Sequence, residues 1–381
     1  MAGIYVHIPF CARRCIYCGF FSTVREDEAA RYVSALCAEL RLRSDYLCGA
    51  PVTTVYFGGG TPSRLIPQQI GQILDCIRQT YGLDHLTELT IECNPDDITP
   101  AYVEALRALG VSRISMGVQT FSEDLLRFLG RRHSAAQAIK AVEICHRSGI
   151  ENVSIDLMFG LPGQTSDIQM HDLETATSLN VQHISSYCLS YEEGSPLDRL
   201  RRQNRVVPVD DDTCAAMYDR MCSHLRSAGF EHYEISNFCR PGYHSRHNSS
   251  YWDGTPYLGV GAGAHSYNGS SRQWNPSDLD VYLNGMEQGT PQFDVENLSV
   301  TDLYNERLML RLRTSAGLDL STLSPHDRTS ILCSAQPLIK SNSLKLENNR
   351  LRIPESKFFI SDSIISSLFK LERDKIVPLG T

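Results

Sequence analysis

The segment FCARRCIYCGF carries Cys11, Cys15 and Cys18 at spacings of four and three. Three thiolates on one short loop can converge on a single metal centre. Structural zinc sites use four Cys or His ligands in paired spacing, and no second pair lies nearby. Three thiolates instead suit a four-iron four-sulfur (4Fe-4S) cluster in which one iron keeps an open position. The amino and carboxylate groups of S-adenosylmethionine (SAM) can chelate that iron and place the sulfonium beside a reductant. Phe10, Ile16, Tyr17 and Phe20 flank the cysteines and keep such a cluster dry. The competing reading is three structural thiols. For Cys37, Cys76, Cys145, Cys214 and Cys222, which fall in helical patterns, a small core residue is the preferred reading.

Further along stand residues that could receive the polar groups of such a ligand. In YFGGGTPS, Gly58, Gly59 and Gly60 let backbone approach a ligand without Cβ obstruction. Glu92 in TIECNP, Gln119 in MGVQTF, Arg131 in LGRRH and Asp156 in SIDLMFGLPGQT fall in or just after strands. Each alone could be a satisfied polar group of a barrel. Together they offer carboxylates for ribose hydroxyls or an ammonium and a guanidinium for a carboxylate.

The elements that must position these residues follow from periodicity. Short β-branched runs at 4–8, 53–57, 89–93, 113–118, 152–158 and 183–188 alternate with helical patterns at 28–47, 68–81, 101–109, 135–148 and 168–179. Thr99 and Pro100 read as a cap and first helical residue. Alternation of this kind predicts an α/β fold, a partial parallel (β/α)6 barrel over 1–230, with ligands at the carboxyl ends of its strands. After Asp210 a helix runs to about Ala228, and 231–298 reads as a loop-rich connecting region. From Ser299 a smaller α+β C-terminal domain is expected over 299–381, with short strands at 344–347 and 350–353.

Composition excludes several classes. A chain of 381 residues, 42% hydrophobic and 21% charged, can bury a core without help from metals. A net charge of -8 gives no drive toward nucleic acid. The start MAGIYVHIPF lacks a secretory pattern and no membrane-length apolar run follows, so a cytoplasmic protein with reduced thiols is expected.

With these motifs in place, the chain resembles the branch of the radical SAM superfamily that contains oxygen-independent coproporphyrinogen dehydrogenases and heme chaperones. The resemblance implies Cys11, Cys15 and Cys18 as cluster ligands, and contacts from Tyr5, Gly59 and Glu92 to the cluster-bound SAM. It assigns Tyr17, Gly60, Thr61, Gln119, Arg131 and Asp156 to SAM sites, including a second one in the dehydrogenases. Two departures count against porphyrinogen oxidation: Phe20 stands where the dehydrogenases carry a fourth cysteine, and the cluster strand begins at Ile4 without their long preceding segment. HNSSYW at 247–252 matches the HNxxYW motif of the chaperones and makes His247 a candidate axial heme ligand, against the reading of a structural histidine. The expected function is binding heme and transferring it to acceptor hemoproteins, membrane-bound ones included, with room for a homodimer. The alternative is a radical SAM oxidoreductase acting on coproporphyrinogen III or a related tetrapyrrole. His7, Cys188 and His265 carry no assigned role, although Cys188 or His265 could line the same cavity.

Overall fold

A computed structural model describes residues 1–370, so the final part of the segment expected over 299–381 lies outside the described residues. Six parallel strands form the centre: β1 (Ala2–Ile8), β2 (Val52–Gly59), β3 (Glu88–Cys93), β4 (Arg113–Gln119), β5 (Asn152–Phe159) and β6 (His183–Cys188). Along β1 every residue but Tyr5 is buried, as strands covered on both faces require. The crossovers run through α1 (Ala29–Leu42), α2 (Pro67–Tyr81), α3 (Pro100–Ala108), α4 (Glu123–Leu129), α5 (Ala135–Arg147) and α6 (Ser166–Ser178). Helix starts obey local chemistry. Thr99 Oγ1 accepts the Tyr102 N–H at 3.2 Å ahead of Pro100, and Ser134 with Gln137 closes a capping box.

The parallel run is open, because β1 and β6 do not pair with each other. Beyond β6 come α7 (Pro196–Arg202), α8 (Asp211–Ser227), β7 (Glu231–Glu234) and β8 (Asn237–Cys239). The next elements are α9 (Arg246–Asp253), β9 (Tyr257–Val260), β10 (His265–Tyr267), β11 (Ser271–Trp274), α10 (Leu279–Glu287) and β12 (Asp294–Asn297). The sheet order is β12-β11-β10-β9-β1-β2-β3-β4-β5-β6-β8-β7, with β9 parallel to β1 and β8 antiparallel to β6. Residues 231–298, irregular by sequence, thus supply short strands at both edges of the sheet. Runs of three or four residues carry too little alternation to register as strands.

The cysteine loop after β1 spans the gap at the carboxyl end. Ile16 N–H donates to Leu129 O at 3.3 Å, and Leu197 N–H donates to Ile16 O at 2.9 Å, tying the loop to α4 and α7. Ile16 and Tyr17 pack on a satellite core of Leu125, Leu129, Met158, Leu161, Leu189 and Leu197. Burying each such leucine is worth about 2 kcal/mol against roughly 1 kcal/mol net for each backbone bond, so apolar packing dominates the loop's placement.

At the opposite end α9 forms a floor. The N–H groups of Arg246 and His247 donate to the Glu88 carboxylate at 2.9 and 3.0 Å, so the first turn of α9 meets an anion at its positive end. The C-terminal unit comprises α11 (Val300–Leu312), β13 (Leu318–Asp319), α12 (Pro325–Lys340), β14 (Lys345–Glu347), β15 (Arg350–Arg352) and α13 (Ser361–Ser366). Its small sheet has order β13-β15-β14. It docks on β7, where Ile235 N–H reaches Arg313 O at 3.2 Å and Ser315 N–H reaches Tyr233 O at 3.0 Å. No described helix is long and apolar enough to cross a membrane.

Candidate cluster and cofactor site

A cavity of about 660 Å³ opens at the carboxyl ends of the parallel strands. Cys11, Cys15 and Cys18 line it with Tyr17, Gly59, Gly60, Thr61, Glu92, Gln119, Arg131 and Asp156. The Cys11 thiol meets Thr61 Oγ1 at 3.3 Å, and Arg131 Nη1 donates to Cys15 Sγ at 3.4 Å. Arg131 Nη2 also donates to Asn94 Oδ1 at 2.7 Å and to the Gly117 carbonyl, while its Nε is buried without a partner among the described residues. Burial pushes the Cys11 and Cys18 thiols up, so their thiolate forms call for a cationic partner. Three soft donors on one wall, a guanidinium beside one of them and an orphaned buried N–H fit an anionic iron–sulfur cluster with room for a further ligand.

A further part of the wall is acidic. Glu92 Oε1 accepts the Tyr56 hydroxyl at 2.7 Å and Oε2 accepts the Gly59 N–H at 3.2 Å. Burial raises its carboxyl to about 7, against the Tyr56 bond, and the nearby Asp156 charge adds to the rise. Burial likewise lifts Asp156 to about 6, opposed by Ser185. A cationic group in the cavity would favour the charged form of both carboxylates. Gln119 adopts φ 73° at a register shift in β4, a backbone state that a non-glycine residue holds only when its surroundings enforce it.

The glycines play a role that the sequence did not show. A Cβ on Gly60 would lie 2.7 Å from the Pro9 carbonyl, and one on Gly59, at φ 109°, would lie 2.5 Å from the His7 ring. Their first task is to let the end of β2 press against the chain entering the cysteine loop.

Residues 5–174 match the family model for the radical SAM superfamily. The heme chaperone HemW of Mycobacterium tuberculosis is 34% identical over 371 residues, covering 96% of this chain and 94% of that protein. The chain belongs to the HemW heme chaperone family. HemW of Bacillus subtilis is 36% identical over 322 residues, covering 84% of this chain and 85% of the relative. HemW of Escherichia coli is 37% identical over 266 residues, 69% of each chain. Among solved structures, coproporphyrinogen III oxidase (HemN) of Escherichia coli superposes with a TM-score of 0.84 at 22% identity, covering 97% of this chain and 90% of that one. That likeness shows the fold: an α/β radical SAM core with a mostly parallel sheet and a smaller C-terminal unit.

Within this HemW-family chain two of the sequence-predicted site residues do not line the cavity. Tyr5 lies beside it, its hydroxyl 3.2 Å from His7 Nδ1 and its ring stacked on Tyr56. His247 sits in the floor, fully buried, with Nδ1 2.8 Å from Thr54 Oγ1 and Nε2 2.9 Å from the Tyr251 hydroxyl. Both ring nitrogens are engaged, so the open imidazole expected of an axial heme ligand is not presented in this structure. Burial, and then Arg113, lower its pKa to about 3 and keep it neutral. Its ring stacks on Tyr56 at 5.1 Å, which links the HNSSYW motif to Glu92 through one side chain.

Other cavity residues escaped the sequence reading. Asn94, Met158, Tyr187 and Glu192 line it, as does Cys188, whereas His265 does not. Arg113 is 1% exposed, with Nε and Nη1 lacking partners among the described residues. An arginine opening a β-branched run, RISMGV, was the available signal for a buried charge.

Proposed function

We propose that this chain binds heme and transfers it to acceptor hemoproteins, with Cys11, Cys15 and Cys18 holding a 4Fe-4S cluster beside a SAM site. The supporting observation is one cavity that gathers three thiols, Arg131 and the acids Glu92 and Asp156 in a chain matched along nearly its whole length by heme chaperones. When bound, the cluster supplies an open iron for the amino and carboxylate groups of SAM. Glu92 and Asp156 then orient the amino group and ribose, Arg131 and Gln119 meet the carboxylate and adenine, Gly59, Gly60, Thr61 and Tyr17 complete the walls, and Tyr5 backs them from beside the cavity. The chain divides functionally into a radical SAM core over 1–230, a connecting segment over 231–298 and a C-terminal unit from 299. It acts in the cytoplasm on acceptor hemoproteins, membrane-bound ones included, with room for a homodimer.

Anaerobic reconstitution tests the cluster: about four irons and four sulfides per chain are expected, falling sharply in Cys15→Ser. Heme titration tests the cargo. Wild type should give a saturable Soret band, and a chain that shows none, with or without its cluster, defeats the chaperone reading. Applied to His247→Ala, the same titration decides the ligand: a displaced Soret band in a folded variant assigns heme to His247, and an unchanged band confines His247 to the floor. Coproporphyrinogen supplied with SAM and reductant should yield no protoporphyrinogen, since Phe20 occupies the fourth-cysteine position.

A further inference from the structure

Away from the cavity, α8, the edge strand β7 and the turn Glu355–Ile360 of the C-terminal unit meet, and three metal-ligating side chains meet with them. One ligand atom from each of Cys222, His232 and Glu355 lies within 4.8 Å of the others. Cys222 is 6% exposed and the His232 side chain 5%, whereas Glu355 at 34% faces solvent.

Hydrogen bonding fixes which nitrogen is on offer. His232 Nε2 lies 3.2 Å from the carbonyl oxygen of Ile235, which can only accept, so Nε2 carries the proton. Nδ1 then faces Glu355 Oε1 at 2.9 Å. At that separation a proton lies between the two atoms; a metal cation that takes both as ligands displaces this proton and sits to one side of the pair, toward the third donor. The other Glu355 oxygen is held by Arg226 Nη2 at 2.5 Å. A histidine that donates its far N–H to a backbone carbonyl, facing a carboxylate whose second oxygen is engaged, is the outer arrangement of protein metal sites. A proton would satisfy the imidazole–carboxylate pair alone. The buried thiol as third donor favours a borderline-soft divalent cation.

We propose that Cys222, His232 and Glu355 form a zinc site of three protein ligands, with a fourth position open to water on the Glu355 side. Sulfur, nitrogen and oxygen donors in that number are within the ordinary range for zinc. Binding releases two protons to solvent, that of the Cys222 thiol and that held between His232 Nδ1 and Glu355 Oε1, and joins the C-terminal unit to α8 and β7 of the barrel. Cys222, read from its helical spacing as a core residue, is then both buried and ligating. The spacing 222, 232 and 355 is too wide for any local motif to announce.

The test uses the full chain with its cluster reconstituted, equilibrated with zinc and desalted. Elemental analysis should find one zinc per chain, and zinc K-edge absorption should report one sulfur and three nitrogen or oxygen neighbours. Cys222→Ser and Glu355→Gln should each weaken zinc binding by about tenfold or more while iron content stays constant. Glu355→Gln alters a partly exposed residue, which guards against simple misfolding. Cys239→Ser, in the other group of possible ligands formed with Glu231 and His244, should leave zinc in place. Absence of stoichiometric zinc, an all-sulfur environment, or retention unchanged in Cys222→Ser would each overturn the proposal.

Discussion

The acidic wall is held by side chains on β2, β3 and β5. Tyr56 on β2 donates to Glu92 on β3, and Asp156 on β5 adds its charge to the same space. A carboxyl raised from 4.5 to about 7 binds its proton more tightly folded than unfolded. Its stabilising contribution is therefore fully present below about 4.5 and lost as pH rises through about 7, on the order of 3 kcal/mol at most. Denaturant midpoints of cluster-free protein should fall across that window, and Glu92→Gln should flatten the slope. An identical slope in the variant would show that Glu92 does not titrate there. Tyr56→Phe removes a hydroxyl without emptying the stack on His247, so it should cost about 1 kcal/mol in stability yet weaken SAM binding to reconstituted protein by several-fold. Unaltered SAM affinity would deny Tyr56 a positioning role.

At the scale of elements, the junction of β1 and β2 sets where the cysteines stand. Gly60 N–H donates to Ile8 O at 2.8 Å, and a Cβ at Gly60 would strike the Pro9 carbonyl group. Gly60→Ala should cost about 1 to 3 kcal/mol through forced displacement and lower iron retention, because Pro9 leads directly into Phe10 and Cys11. A thermal midpoint and iron content equal to wild type would argue that the loop tolerates the shift. The same junction shows what a sequence can disclose. The six parallel strands were legible because buried β-branched runs alternate with amphipathic helices, and most of the cavity set was legible because those residues sit at strand ends. The short strands β7 to β12 were not, since their identity comes from the neighbours with which they pair. Nor was the place of His247: HNSSYW announces a motif, but only the tertiary contact with Thr54 and Tyr56 shows that α9 turns it inward.

For the whole molecule, the open sheet means that the two ends of the parallel run are bridged at the cavity mouth by the cysteine loop and its satellite core. Leu197 on α7 is fully buried there, and its N–H meets Ile16 O, yet it does not line the cavity. Leu197→Ala should cost about 2 to 5 kcal/mol and also lower iron retention, because the cavity left behind loosens the Ile16 anchor. Leu308 is equally buried on α11 in the C-terminal unit, in the main core and outside the satellite core at that mouth. Leu308→Ala should cost a comparable amount of stability with iron content unchanged. Measuring thermal midpoints and iron per chain for both variants separates loss of the bridge from loss of stability in general. Equal iron loss in the two would mean that the cysteine loop follows global stability, and that the satellite core does not act as the clasp of the open barrel.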